Sequence, residues 1–165
     1  MEKKVEMEYL IFPILFMLHD FEEIVWGHPW LKRNVSSLQV PNFIKRMLVA
    51  LATLSSKQFT LIVMEEFIGC ILISLCAFWG KGKWLFLGIM IGYILHCIMH
   101  VVQCLYIKRY IPLVVSAVIT GMIVGVLIFK LFKGVTIVKM IIDGAVGTAV
   151  IIINIFFAFW CSKFF

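Results

Sequence analysis

Apolar residues run along this chain in five long blocks separated by polar breaks, over about 9–30, 58–79, 84–107, 111–132 and 135–160. Each block reaches the ~20 residues that an α-helix needs to cross the hydrocarbon core of a bilayer. Trp30, Trp79, Trp84, Tyr110 and Trp160 stand at block ends, where amphipathic rings settle at the membrane–water boundary. The breaks at 80–83, 108–110 and 133–134 are short, which makes consecutive spans antiparallel neighbours. Only 31–57 is too long for a turn. After Pro41, apolar residues at Phe43, Ile44, Met47, Leu48 and Leu51 keep helical spacing beside Lys45 and Arg46. That spacing predicts an amphipathic helix over about 42–55, lying on the membrane surface. The whole pattern predicts an all-α polytopic membrane helix bundle. It is a single membrane-embedded domain over 1–165, with about five transmembrane helices and one interfacial helix.

Composition supports this reading. Hydrophobic residues make up 63% of the chain and charged residues 15%, with mean hydropathy +1.07. Soluble domains hold roughly 45–50% apolar residues, so the excess must face lipid. Residues 1–8 are of mixed charge, the first apolar block is interrupted at His19–Glu23, and no small-residue cleavage site follows, so this block is expected to remain as a span. The net charge of +6 is spread over short loops beside the spans and not over one basic face, which argues against a nucleic-acid partner. Lys and Arg number eight on the side of the 31–57 connection and seven on the other, favouring an outside N-terminus in a plasma- or cytoplasmic-type membrane by a margin of one. The five cysteines lie in apolar segments without a CxxC spacing, as buried reduced thiols do. Gly121 with Gly125, and Gly144, Ala145 and Gly147, are expected to let the last two spans pack closely, with Asp143 in a packing or hydrogen-bonding role.

Against this background the polar residues inside the spans stand out. His19-Asp20-Phe21-Glu22-Glu23 places an imidazole and three carboxylates within an oily block. An ionisable group at membrane depth costs at least about 2.5–3.5 kcal/mol and needs an internal partner. At helical spacing His19, Glu22 and Glu23 share one face, with Asp20 about 100° away. The second block carries Glu65-Glu66, and the third carries His96 and His100 on one face. At 1.5 Å per residue, the first group lies about 15–21 Å from Tyr9, the second roughly 11–12 Å from Gln58 and the third about 18–24 Å from Trp84. Because the spans alternate in direction, all three fall in the half of the membrane nearest the 31–57 connection.

A shared depth on neighbouring spans points to one site. Its expected metal ligands are His19, Glu22, Glu23, Glu66, His96 and His100, with Glu22 and Glu65 as candidate catalytic carboxylates. Several carboxylates buried together repel one another unless protons or cations balance them. Divalent ions, iron or zinc above all, suit an oxygen and nitrogen donor set, and two ions would neutralise four carboxylates. Tyr93 and Gln103 extend the histidine stripe as candidates for orienting the ligands. His28, beyond the span in Gly27-His28-Pro29, reads as an interfacial residue.

The set His19-x-x-Glu22-Glu23, Glu65-Glu66 and His96-x-x-x-His100 in a small multi-span chain resembles the HXXEE-domain membrane proteins, over about 9–120. Ile111-Pro112-Leu113 keeps the Pro but not the Gly of the Pro-Gly usual after that family's third span. The resemblance implies an enzyme whose His and Glu residues carry the chemistry.

Three functions are open to such a site. One is a metal-dependent intramembrane enzyme that oxidises or hydrolyses a lipid or another apolar small molecule. A second is a metal-free isomerase in which Glu and His shuttle protons. A third is a small metal or proton-coupled transporter, against which stands the absence of an inverted repeat. Membrane lipids and the apolar substrate are the expected partners, with a second copy of the chain as a candidate to complete the bundle wall.

Overall fold

The computed structural model describes residues 7–164, in which every regular element is helical. Lys3, Lys4 and the side chain of Lys163, which enter the charge count, lie outside what is described. Four helices are long and apolar enough to cross a membrane: α4 (Ser56–Phe78), α5 (Lys83–Ile107), α6 (Val114–Leu131) and α7 (Ile137–Cys161). They fall within a few residues of the last four blocks. Helix α6 starts three residues later than its block because Pro112 pushes Ile111 out of helical conformation, and a tight turn through Leu113 precedes the helix.

The first block is built differently. Helix α1 (Ile11–Glu22), a π-helical turn (Glu23–Gly27) and α2 (His28–Asn34) follow one another without a break. The π-turn has a local cause: Pro29 has no N–H to give to the ladder, and its ring excludes a regular carbonyl four residues back. The N–H of His28 bonds instead to the carbonyl of Glu23, five residues earlier. Ile11, Ile14, Leu18, Phe21 and Val25 form an exposed apolar stripe down this run, the surface that a span presents to lipid.

The expected surface helix is α3 (Asn42–Thr53), which buries none of its residues and exposes Phe43, Ile44 and Met47. A capping box follows: Ser55 Oγ accepts from the Gln58 N–H, and the Gln58 side chain accepts from the Ser55 N–H. It marks the point where the chain turns back into α4.

Helix α5 is central. Half of its apolar window is buried inside the bundle, against 17–28% for the other three spans. It packs on α7, α6 and α4, while α1 leans on α4 and α6. The half of the bundle nearest the N-terminus is dry and aromatic. There Phe86 meets Tyr9 at 5.3 Å and Phe12 at 5.7 Å, and Phe12 meets Tyr93 at 5.5 Å. Helices α5 and α7 approach tightly at Gly88 and Gly147: a Cβ on Gly147 would strike the Gly88 backbone, and one on Gly88 would strike the Asp143 carbonyl oxygen and crowd the Gly147 Cα. The expected Gly121 and Gly125 pair works otherwise: Gly121 faces Cys97, and Gly125 faces open space. Gly144 does admit a neighbour, Ile91, and Asp143 is buried and paired with Lys139 at 3.0 Å. All five cysteines are free.

Candidate metal centre

Above the aromatic half, α1 and α5 face each other with their polar residues. His19 lies on the last full turn of α1, and Glu23 opens the π-turn one helical turn further on. His96 and His100 project from successive turns of α5 toward them. Glu23 Oε1 is 2.9 Å from His100 Nε2, 3.3 Å from His96 Nε2 and 3.7 Å from His19 Nε2. The Nε2 atoms of His96 and His100 are 2.9 Å apart. Each of the four residues offers one donor atom, and all four atoms lie within 4.8 Å of one another.

These separations can be tested against a metal ion. Four ligands at bonds of about 2.0–2.1 Å in a tetrahedron stand ~3.3 Å from each other. Four of the six separations, 2.9 to 3.7 Å, bracket that edge, and the other two, from His19 to His96 and to His100, lie within 4.8 Å. His19 Nε2 is fully buried and has no hydrogen-bond partner among the described residues. A buried imidazole nitrogen left this way costs stability unless something coordinates it. The donor set therefore fits one divalent ion. His19 is completely buried, and the side chains of Glu23 and His100 are 16% and 9% exposed, but that of His96 is 41% exposed. The quartet is closed on three sides and open at His96.

Surrounding groups hold the imidazoles in place. His19 Nδ1 and Ser116 Oγ, on the first turn of α6, are 2.9 Å apart. The Tyr93 ring stands edge-on to His19 at 6.1 Å and beside His96 at 6.4 Å. The Tyr93 hydroxyl lies 2.7 Å from Thr120 Oγ1, which donates to the Ser116 carbonyl.

A family model described as a protein of unknown function with HXXEE motif matches residues 10–128. The chain belongs to the HXXEE family. The match spans all four donors together with Ser116 and Thr120, and ends before α7. Of the HXXEE motif itself, His19 and Glu23 stand in the quartet, whereas Glu22 does not. Comparison with curated proteins and with solved structures gives no match.

The remaining expected site residues stand outside the quartet. Glu22 Oε2 is buried without a hydrogen bond among the described residues. Glu66 and Asp20 lie within electrostatic reach of Glu23. Glu65 Oε2 accepts from Asn154 Nδ2 of α7 at 2.8 Å. Gln103 makes no hydrogen bond among the described residues. His28 is buried at the start of α2, where Nε2 approaches the Leu51 carbonyl at 3.2 Å and the ring stacks on Phe59 at 4.4 Å. It ties α2, α3 and α4 together and takes no part in the quartet, as expected of a residue beyond the site.

Sequence reasoning missed three groups. Asp20 was set aside for lying off the ligand face, yet it is only 4% exposed. A charge in mid-span faces the interior, and that signal was available. Ser116 and Asn154 gave weaker signals, a hydroxyl and an amide in otherwise apolar helices, where polar side chains serve as interhelical contacts.

Proposed function

We propose that this HXXEE protein is a metal-dependent membrane enzyme that hydrolyses an ester or amide bond in a lipid or another apolar molecule. One observation carries the reading: His19, Glu23, His96 and His100 bring one donor atom each within 4.8 Å of the others, and the buried Nε2 of His19 has no hydrogen-bond partner among the described residues. Such a quartet suits one ion, zinc or iron, in place of the pair that four carboxylates had suggested. When bound, the ion supplies Lewis acidity, lowering the pKa of a water molecule and polarising a carbonyl. The protein supplies the rest. The half-exposed flank at His96 is where a substrate reaches the site from within the membrane. Glu22, whose buried oxygen has no partner, is the carboxylate free to accept a proton. Glu65 is committed to Asn154 through one oxygen and serves that role less well. Hydrolysis is preferred to oxidation because it asks for a proton acceptor, and Glu22 offers one.

A metal-free acid–base isomerase is the second reading, and one observation favours it. Glu23 accepts from His100 at 2.9 Å and from His96 at 3.3 Å, which satisfies the carboxylate without an ion. Elemental analysis of protein purified without chelator separates the two. About one equivalent of zinc or iron, lost in His96→Ala and Glu23→Gln, supports the metal enzyme. Less than about half an equivalent of any transition metal in folded wild-type protein overturns it.

A further inference from the structure

We infer that Ser116 is a positioning residue for the metal centre: its hydroxyl fixes the His19 tautomer and turns the Nε2 lone pair toward the ion. The inference rests on the metal reading above. The argument is one of proton accounting. Ser116 Oγ has two neighbours, the Leu113 carbonyl at 3.3 Å and His19 Nδ1 at 2.9 Å. The contact to Leu113 is a donated one, and with the single hydroxyl proton placed there the hydroxyl oxygen is the acceptor toward His19. His19 carries its proton on Nδ1, and Nε2 is left as a lone pair facing the quartet. The opposite tautomer would put a proton on Nε2 with Glu23 Oε1 as its nearest carboxylate, at 3.7 Å, too far for a hydrogen bond.

A second set of bonds braces the same stretch of α6: Thr120 Oγ1 donates to the Ser116 carbonyl, and the Tyr93 hydroxyl lies 2.7 Å from Thr120 Oγ1 and 3.5 Å from the Leu15 carbonyl. The turn before α6 is anchored as well, because Leu113 packs against Gly27 of the π-turn, where a Cβ would come within 2.5 Å of its side chain. Loop 108–113 thus holds both the helix that carries Glu23 and the hydroxyl that orients His19.

Metal-ligating histidines oriented by such partners typically lose 10–100-fold in metal affinity when the partner is removed. The experiment compares wild type, Ser116→Ala and Ser116→Thr in detergent or nanodiscs. Zinc affinity is read by chelator competition, and the His19 tautomer by nitrogen NMR of metal-free, histidine-labelled protein, with His19→Asn giving the assignment. Ser116→Ala should bind zinc about 10–100-fold more weakly and lose the pure Nδ1–H signature. Ser116→Thr, which keeps the hydroxyl, should restore both. The His28 resonance, held by Leu51 and Phe59, reports that the fold is intact in each variant. Either an unchanged His19 tautomer in folded Ser116→Ala, or zinc affinity within about threefold of wild type, overturns the inference. Wild type that takes up no metal overturns the metal reading instead, and the tautomer comparison still decides whether Ser116 orients His19.

Discussion

At the scale of single residues, the two adjacent glutamates of the motif should separate cleanly. Glu23 stands among the donors and Glu22 does not. Glu23→Gln should therefore lose the metal, because a neutral amide is a poor ligand and donates where the carboxylate accepts. Glu22→Gln should keep the metal and lose turnover by about 10²–10⁴-fold, the usual contribution of a general base. Metal content, measured beside fatty-acid release from lipid vesicles, checks both at once. His28→Ala should do neither. It should lower stability by about 1–3 kcal/mol, since it removes a buried ring stack and leaves the Leu51 carbonyl without that partner. A thermal melt with metal content unchanged is the expected result. The sequence carried the site this far because a charge in an apolar span is conspicuous and must be accounted for. It did not distinguish Glu22 from Glu23, which an α-helix sets only about 100° apart on one face. Nor did it reveal Ser116, since a helical serine usually does no more than bond its own backbone.

At the scale of helices, the π-turn and the glycines decide how the elements meet. An uninterrupted helix would carry His28 about 180° around from His19. The extra residue accommodated by the π-turn swings α2 by about 100°, which delivers His28 to Leu51 and Phe59. Hydropathy shows an apolar block at 9–30 but not this interruption; Pro29 and Gly27 were its only trace in the sequence. Glycine spacing misled in a more instructive way. Gly121-x-x-x-Gly125 has the expected form of a packing motif, yet the tight crossing runs through Gly147, which the sequence did mark as a close-packing residue, and Gly88 on α5, which it did not. Gly88→Ala or Gly147→Ala must force α5 and α7 apart against backbone atoms, which do not yield as a flexible side chain does. A loss at or above the 1–3 kcal/mol usual for overpacking is expected. Gly125→Ala meets nothing within 4 Å and should be neutral or slightly stabilising. Parallel melts of the three variants test the crossing, and equal melts for Gly88→Ala and Gly125→Ala would contradict it.

At the scale of the whole molecule, the site joins two helical runs that are far apart in sequence and meet otherwise through aromatic contacts such as Phe12 with Phe86 and Tyr93. Glu23 and His19 come from the first helical run and His96 and His100 from α5, whereas α1 leans mainly on α4 and α6. The equal depth of these residues was readable from block lengths alone, and it foretold a common site. Which helix faces would meet depended on the rotation of α1 and α5 about their axes, which hydropathy does not encode. An ion held across this gap is a cross-link between non-sequential helices, and it binds the folded bundle alone. Metal binding must then raise stability by mass action, by about 2.7 kcal/mol at a free concentration 100 times Kd. Adding a strong chelator to the purified protein should lower Tm, and restoring zinc should return it. Glu23→Gln should melt near the chelated value and show no response to either addition, because the cross-link is already broken. The comparison also separates the two functional readings. In the metal-free alternative, His96 and His100 satisfy Glu23 directly, so the chelator finds nothing to remove and the wild-type melt stays where it was. Glu23→Gln would then still be destabilised, through the loss of two charge-assisted hydrogen bonds worth about 1.5–3 kcal/mol each. A chelator-sensitive wild type beside an insensitive Glu23→Gln is the pattern that only a metal cross-link produces.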